Sequence, residues 1–91
     1  MFTLPDELTI AQVEEYKSQF IDFINKNDVI ELDDSQVNRI DTVGIQLLLA
    51  AVIYIAAQNK SLVWQNKSLI ISQSIKQLGI NDPILNKFFN E

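Results

Sequence analysis

The chain contains no cysteine and no histidine among its 91 residues. Without cysteine it can form neither a disulfide framework nor a thiolate site, and without histidine it lacks the commonest general base and metal ligand. It has only two glycines and no glycine-rich phosphate loop. Because most enzymes depend on these components, we expect a protein with no catalytic activity and no cofactor.

Runs of basic residues are also missing, and the formal net charge is −5. No segment could follow a phosphate backbone or an anionic membrane surface, so nucleic acid is not an expected partner. The N-terminus has no basic segment ahead of an apolar stretch, which argues against a signal peptide and predicts a cytoplasmic protein. A chain of this length suffices for a single domain over residues 1–91, with little room for a deep cleft.

Strand and helix patterns alternate along the chain. Short β-rich segments predict strands at Phe2–Leu4, Val29–Leu32 and Ser61–Trp64, and the last two are expected to be buried. Apolar periodicity and cap residues predict helices from Thr9 to about Asn27, from Thr42 to Gln58, from Ser68 to Leu78, and a short last one from Asp82. This alternation predicts an α/β fold, a small and mostly parallel sheet with helices packed on it.

Particular residues are expected to cap these helices or to face the core. Thr9 and Gln12 fit a capping box, Gly79 a left-handed C-terminal cap, and Asp82 an N-cap. The positions expected to point inward are Val13, Tyr16, Phe20, Ile24, Ile71, Ile75, Leu78, Ile84, Leu85, Phe88 and Phe89.

The helix predicted from Thr42 to Gln58 carries two apolar stripes, although a helix on one side of a small sheet needs only one. The first stripe is Ile45, Leu48, Leu49, Val52 and Ala56, and the second is Val43, Leu47, Ala50 and Tyr54. Either neighbouring helices or a homodimer cover the second stripe, or a different protein does. The apolar stretch is shorter than the roughly 20 residues of a membrane span, so direct membrane insertion is not expected.

A motif lies between the second strand and this helix, where a polar loop leads into Ile40-Asp41-Thr42-Val43-Gly44. The segment resembles STAS domains, the family of anti-sigma factor antagonists, in which an apolar strand precedes Asp-x-Ser-x-Val and then Asp-Ser/Thr-x-Gly. The matching positions are Asp33, Ser35, Val37, Asp41, Thr42 and Gly44. The sequence departs from the family pattern at Asp34, which replaces the usual leucine, and at Val43, which replaces a second serine.

The resemblance implies a bacterial, non-catalytic regulatory module that docks onto a partner protein. In the best-studied members, the hydroxyl at the Thr42 position is phosphorylated by a kinase-type anti-sigma factor, and phosphorylation dissociates the complex. Other STAS proteins are subunits of lipid-transport ABC systems, where this hydroxyl is important for docking on the ATPase subunit, and others are linked to chemotaxis. The partner-binding residues that this resemblance and the second stripe imply are Asp33, Ser35, Asp41, Thr42, Val43, Gly44, Leu47 and Tyr54.

Plainer interpretations of the same residues remain open. Asp41 or Thr42 at a helix start can act only as an N-cap. Asp33, Asp34 and Asp41 lack the spacing of a calcium loop, so no metal site is expected. Asp34-Ser35 also matches the pair that carries phosphopantetheine in acyl carrier proteins, but the following residues are polar and two segments read as strands.

Gly44 is unusual because alanine is the better helix former in a first helical turn by up to about 1 kcal/mol. Close approach by a partner, or by the loop from Asp33 to Ser35, would explain the missing side chain. A phosphate on Thr42 would face the positive end of the helix dipole and free N–H groups, so it is expected to change the surface and leave the fold intact.

Overall fold

The described part of the chain, residues 1–65, 68–83 and 85 of a computed structural model, has the predicted α/β architecture. The strands are β1 (Phe2–Thr3), β2 (Glu7–Leu8), β3 (Val29–Asp33), β4 (Arg39–Ile40) and β5 (Ser61–Gln65). The helices are α1 (Ile10–Lys26), α2 (Thr42–Ala57) and α3 (Leu69–Leu78). The prediction of a small, mostly parallel sheet with helices packed on it is therefore confirmed.

The main sheet places β3 between β1 and β5, with both neighbours parallel to it. Leu32 of β3 is paired with Phe2 on one side and Trp64 on the other. Burial alternates along β3, with Ile30 and Leu32 buried, so only one face of the sheet is covered. The prediction that β5 is buried was wrong, because it is an edge strand in which Trp64 alone is buried.

A second, two-stranded sheet was not predicted from the sequence. Glu7 and Leu8 of β2 pair in parallel with Arg39 and Ile40 of β4. The carbonyl of Asp6 accepts hydrogen bonds from the N–H groups of residues 38 and 39, at 2.8 and 3.2 Å. These contacts hold the polar loop between β3 and α2 against the N-terminal segment.

The predicted helix ends are confirmed where side chains cap them. Gln12 Oε1 accepts from both the N–H and the hydroxyl of Thr9, at 3.2 and 2.6 Å, which closes the capping box of α1. Gly79 ends α3 in the left-handed conformation with φ 69°. Asp82 Oδ1 accepts from the N–H of Leu85 at 2.9 Å, as expected of an N-cap.

The hydrophobic core lies between the helices and the covered face of the sheet, and most positions predicted to face inward belong to it. Val13, Phe20, Ile24, Ile71, Ile75 and Leu85 are buried, and Tyr16 is partly buried. The prediction that Leu78 points inward was wrong, because its side chain at the end of α3 is 43% exposed. The predicted inward positions Ile84, Phe88 and Phe89 lie outside the described residues.

Candidate functional site

Asp41 organises the N-terminal ends of two helices. Its Oδ1 accepts from the N–H of Gly44 at 2.9 Å, which caps α2, and its Oδ2 accepts from the N–H of Ile10 at 2.9 Å, the first residue of α1. Desolvation raises the pKa of Asp41, but hydrogen bonds from backbone N–H groups, those of Gly44 and Ile10 foremost, together outweigh it, so the pKa is lowered. The carboxylate therefore stays ionised and ties α1 to α2.

Thr42 follows this cap as the first residue of α2, and its side chain is exposed. Asp41 serves as the N-cap, so the simple capping interpretation applies to Asp41 and not to Thr42. The Thr42 hydroxyl makes no hydrogen bond to any residue that the structure describes. It borders a shallow pocket of about 190 Å³ between α2 and α3, lined by Ile40, Asp41, Thr42, Ser74, Gln77 and Leu78.

Contacts within the fold explain why a glycine occupies position 44. A Cβ atom at this position would lie 2.1 Å from the carbonyl oxygen of Leu8 and 2.8 Å from Cγ1 of Ile40. The close neighbours of Gly44 are therefore β2 and β4. The expectation that a partner, or the loop from Asp33 to Ser35, approaches this glycine was wrong. Gly44 is buried and lets α2 begin directly against the small sheet.

Asp33 and Ser35 lie at the other end of the loop, where β3 ends. The Asp33 carboxylate accepts from the N–H of Ser35 at 3.0 Å and from its hydroxyl at 3.1 Å. The next turn is fixed by Val37, which is buried and donates its N–H to the carbonyl of Asp34 at 3.1 Å. Ser35 thus belongs to a local turn and not to the start of a helix, where a carrier protein places its modified serine.

Asp34, the departure from the family pattern, is fully buried. Its Oδ2 accepts from Nε1 of Trp64 at 2.9 Å and from the N–H of Ser68, the N-cap residue of α3, at 2.7 Å. Its Oδ1 has no hydrogen-bond partner among the described residues. Burial raises the pKa of Asp34, although the two hydrogen bonds act in the opposite direction. The side chain therefore joins β3, β5 and α3 at an electrostatic cost.

The second apolar stripe of α2 is only partly covered within the fold. Val43 and Leu47 are half-buried, whereas Ala50 and Tyr54 are exposed. Leu47, Ala50 and Tyr54 face α1, where the Tyr54 hydroxyl donates to Oδ1 of Asn25 at 2.7 Å. At 100° per residue, Leu47 and Tyr54 lie roughly 120–140° around α2 from Thr42. Among the predicted interface residues on α2, Thr42 therefore lies on one flank of the helix, and Leu47 and Tyr54 lie on another.

The sequence interpretation identified the surface between these flanks only in part, because it gave Gln46 and Ile53 no role in binding. We call this surface the docking ridge, and it consists of the exposed residues Thr42, Gln46, Ala50 and Ile53. Ile53 is 45% exposed, and Leu78 lies beside the same ridge across the pocket at Thr42. The spacing of Ile53 from Thr42, eleven residues or about three turns, was the sequence signal that could have identified it.

The described residues contain no group of three or more acidic side chains placed to hold a metal ion. In the same part of the chain, every helix is too short or too polar to cross a membrane.

Comparison with known families returned a match that spans nearly the whole chain. The model of the family described as "Mlab, STAS domain" matches residues 2–86. A comparison with curated proteins and a comparison with solved structures each returned no match. The family match includes both ends of the loop, the α2 N-terminus and all of α3.

Proposed function

This chain belongs to the STAS domain family, and we propose that it is a non-catalytic regulatory module that docks a larger protein on the ridge of α2. The Thr42 hydroxyl lies at one end of this interface and controls it. The proposal includes the loop between β3 and α2 as the support that fixes the start of the helix.

The observation that carries this proposal is the exposed hydroxyl of Thr42, which makes no hydrogen bond to the described residues. The neighbouring carboxylate of Asp41 caps the helix, so Thr42 has no capping task and remains exposed at the pocket beside α3. A polar group that the fold does not use, at the edge of an apolar surface, is well placed to contact a partner or to be modified.

The composition of α2 supports a protein partner. The helix has 16 residues and none is charged, although 21% of the whole chain is charged. Depletion of charge around apolar side chains is typical of the central part of protein interfaces. Ile53 supplies an exposed apolar anchor at the end of the ridge farthest from Thr42, and Leu78 of α3 supplies another at its edge.

A kinase-type anti-sigma factor is the first candidate partner, with phosphorylation of Thr42 as the switch. The new phosphate would lie beside the Asp41 carboxylate, which already accepts the N–H of Gly44. Fewer free N–H groups thus remain to stabilise a phosphate than the sequence alone indicated, and repulsion from Asp41 adds to its effect.

An ABC ATPase subunit is the second candidate partner, and the same observation favours it. If the N–H groups of the helix are occupied, the unmodified hydroxyl itself is the simplest contact for a partner to use. The two candidates differ in what removal of the hydroxyl does, because only direct contact makes Thr42→Ala weaken binding.

Pull-down from a bacterial lysate, followed by identification of the bound protein and measurement of its affinity, tests the ridge. We expect Ile53→Asp to weaken binding at least tenfold, or about 1.4 kcal/mol, because a carboxylate would be desolvated in the interface. Leu69→Asp is the matched control, since Leu69 is 69% exposed in the first turn of α3, where an acidic residue is tolerated.

Two results contradict the proposal. One is a partner that binds the Ile53→Asp variant as tightly as the parent, and the other is self-association as the only interaction, which would show the ridge to be a homodimer contact. Leu47→Asp is a poorer probe, because Leu47 is half-buried and a carboxylate there would also disturb the fold.

A further inference from the structure

The flank of α2 opposite Thr42 forms a separate concave surface against α1. We call it the α1/α2 groove, and its volume is about 380 Å³, within the range of small-molecule sites. The described residues that line it are Lys17, Phe20, Ile21 and Ile24 of α1 and Leu47, Ala50, Ala51 and Tyr54 of α2. Six of these eight side chains are wholly hydrocarbon, so the groove suits an aliphatic ligand.

Lys17 is the single charged residue among the described residues that line this groove. Its side chain is exposed, and no carboxylate of the described part of the chain forms a salt bridge with it. By contrast, Lys26 on the same helix is paired with Asp22 at 2.9 Å. An unpaired ammonium group at the edge of an apolar groove favours a ligand that combines one anionic group with a hydrocarbon body.

The polar groups of the groove also limit what can bind there. All lining residues lie within α1 and α2, whose backbone groups are used in helical hydrogen bonds, and the Tyr54 hydroxyl already donates to Asn25. An extended peptide would leave its own N–H and C=O groups without partners on such a surface. A single-chain carboxylate has only one polar group to satisfy, and Lys17 can satisfy it.

We propose that the α1/α2 groove binds a single-chain aliphatic carboxylate, with the hydrocarbon chain between Phe20, Ile21 and Leu47 and the carboxylate at Lys17. This site lies beside the docking ridge and shares Ala50 with it, but it does not depend on the identity of the protein partner. Tyr54 and Leu47 are then ligand-contacting residues of this groove.

Calorimetric titration of the purified chain with decanoate tests the proposal, and decyltrimethylammonium serves as the ligand of opposite charge. We expect saturable binding of one decanoate per chain and at least about tenfold weaker binding of the cation. Lys17→Gln should weaken decanoate binding about two- to fivefold, the range of an exposed ion pair. Lys76→Gln, which removes the same charge from the exposed face of α3, should leave it unchanged.

A second pair of variants tests the apolar part of the groove. Ile21→Glu places a carboxylate one turn after Lys17 on the same face of α1, at a side chain that is 40% exposed, so the fold should persist while the new charge repels decanoate and occupies Lys17. Ile10→Glu is the control on the same helix outside the groove and should bind decanoate like the parent. Circular dichroism confirms that each variant is folded.

Three outcomes would overturn the proposal: no saturation at concentrations up to about 1 mM, equal affinity for the two ligands of opposite charge, or unchanged binding by both Lys17→Gln and Ile21→Glu. If Ile21→Glu instead abolished binding of the protein partner and decanoate did not bind, the groove would be part of the protein interface. Failure of the docking proposal can be distinguished from failure of this one. The docking proposal is tested by the affinity of the Ile53→Asp variant for the protein partner, and no decanoate is used in that measurement.

Discussion

The two ends of the loop between β3 and α2 each depend on an aspartate, and the two carboxylates behave in opposite ways. Asp41 uses both oxygens to accept helix N–H groups, and its pKa is lowered. Asp34 is fully buried with one oxygen unpartnered among the described residues, and its pKa is raised. The same residue type therefore stabilises one end of the loop and is an electrostatic cost at the other.

This difference explains where a switch can act. The Asp41 end is fixed by backbone contacts and capping bonds, so an added group on Thr42 changes the surface of a firmly held helix start. The Asp34 end joins three elements through one carboxylate, and a change there would propagate to β5 and α3. The proposed regulatory position, Thr42, therefore lies at the end of the loop where an added group stays on the surface.

The largest expected effect tests how tightly the Asp41 end is packed. Gly44→Ala would place a methyl group 2.1 Å from the Leu8 carbonyl oxygen, so α2 or β2 must shift. We expect a loss of about 3 kcal/mol in the free energy of unfolding, measured by urea denaturation. Gly79→Ala is the control: its φ is 69°, but no atom lies near the added carbon, and the expected loss is about 1 kcal/mol.

A Gly44→Ala variant as stable as the parent would mean that the helix start is loosely held, and the contrast between the two loop ends would fail. Gly44 serves folding first, and any effect of its substitution on docking follows from a displaced helix.

Substitution of each aspartate by asparagine is expected to give the next largest change in the free energy of unfolding, with opposite signs at the two positions. Asp41→Asn keeps one acceptor oxygen but replaces the other with an amide nitrogen that cannot accept from Ile10, so we expect a loss of about 1–2 kcal/mol at neutral pH. Asp34→Asn keeps an acceptor for Trp64 and Ser68 while removing a buried charge, so we expect no loss, or a gain of up to about 1 kcal/mol.

The pH dependence of the free energy of unfolding separates the two residues further. Because the pKa of Asp41 is lowered in the folded state, its contribution is present above the unfolded pKa of about 3.9 and is lost as pH falls through the folded pKa. Because the pKa of Asp34 is raised, its cost applies above the folded pKa and disappears as pH falls toward the unfolded value. Parallel pH profiles for the parent and both variants would contradict this assignment.

Local signals in the sequence predicted much of the fold. Capping residues and apolar periodicity placed α1 and α2 to within one or two residues, and Gly79 marked the end of α3. The pairing of β2 with β4 escaped prediction because two-residue strands have no periodicity and their partners lie more than 30 residues apart. Parallel pairing of this kind depends on the whole fold and not on a local pattern.

The candidate site was predictable in its position but not in its internal roles. The motif located Asp41, Thr42 and Gly44, yet the sequence could not show that Asp41 caps two helices or that Gly44 packs against Leu8. Burial of Asp34 was equally hidden, because its partners Trp64 and Ser68 are about 30 residues away. Contacts between distant segments decide these roles.

The smallest expected effect on folding is at Thr42, which also gives the sharpest test of function. Thr42→Ala should change the free energy of unfolding by less than about 1 kcal/mol, because the hydroxyl makes no hydrogen bond to the described residues and Asp41 does the capping. Thr42→Glu should also remain folded, since the favourable helix dipole offsets repulsion from Asp41. We nevertheless expect Thr42→Glu to bind the partner at least about tenfold more weakly.

Isothermal titration with the partner identified by pull-down then separates the two candidate partners. Unchanged binding by Thr42→Ala supports a phosphorylation switch, whereas weakened binding that Thr42→Ser restores supports direct contact by the hydroxyl. If Thr42→Ala and Thr42→Glu both bound like the parent, Thr42 would have no part in docking, and the stable end of the loop would serve only to start the helix.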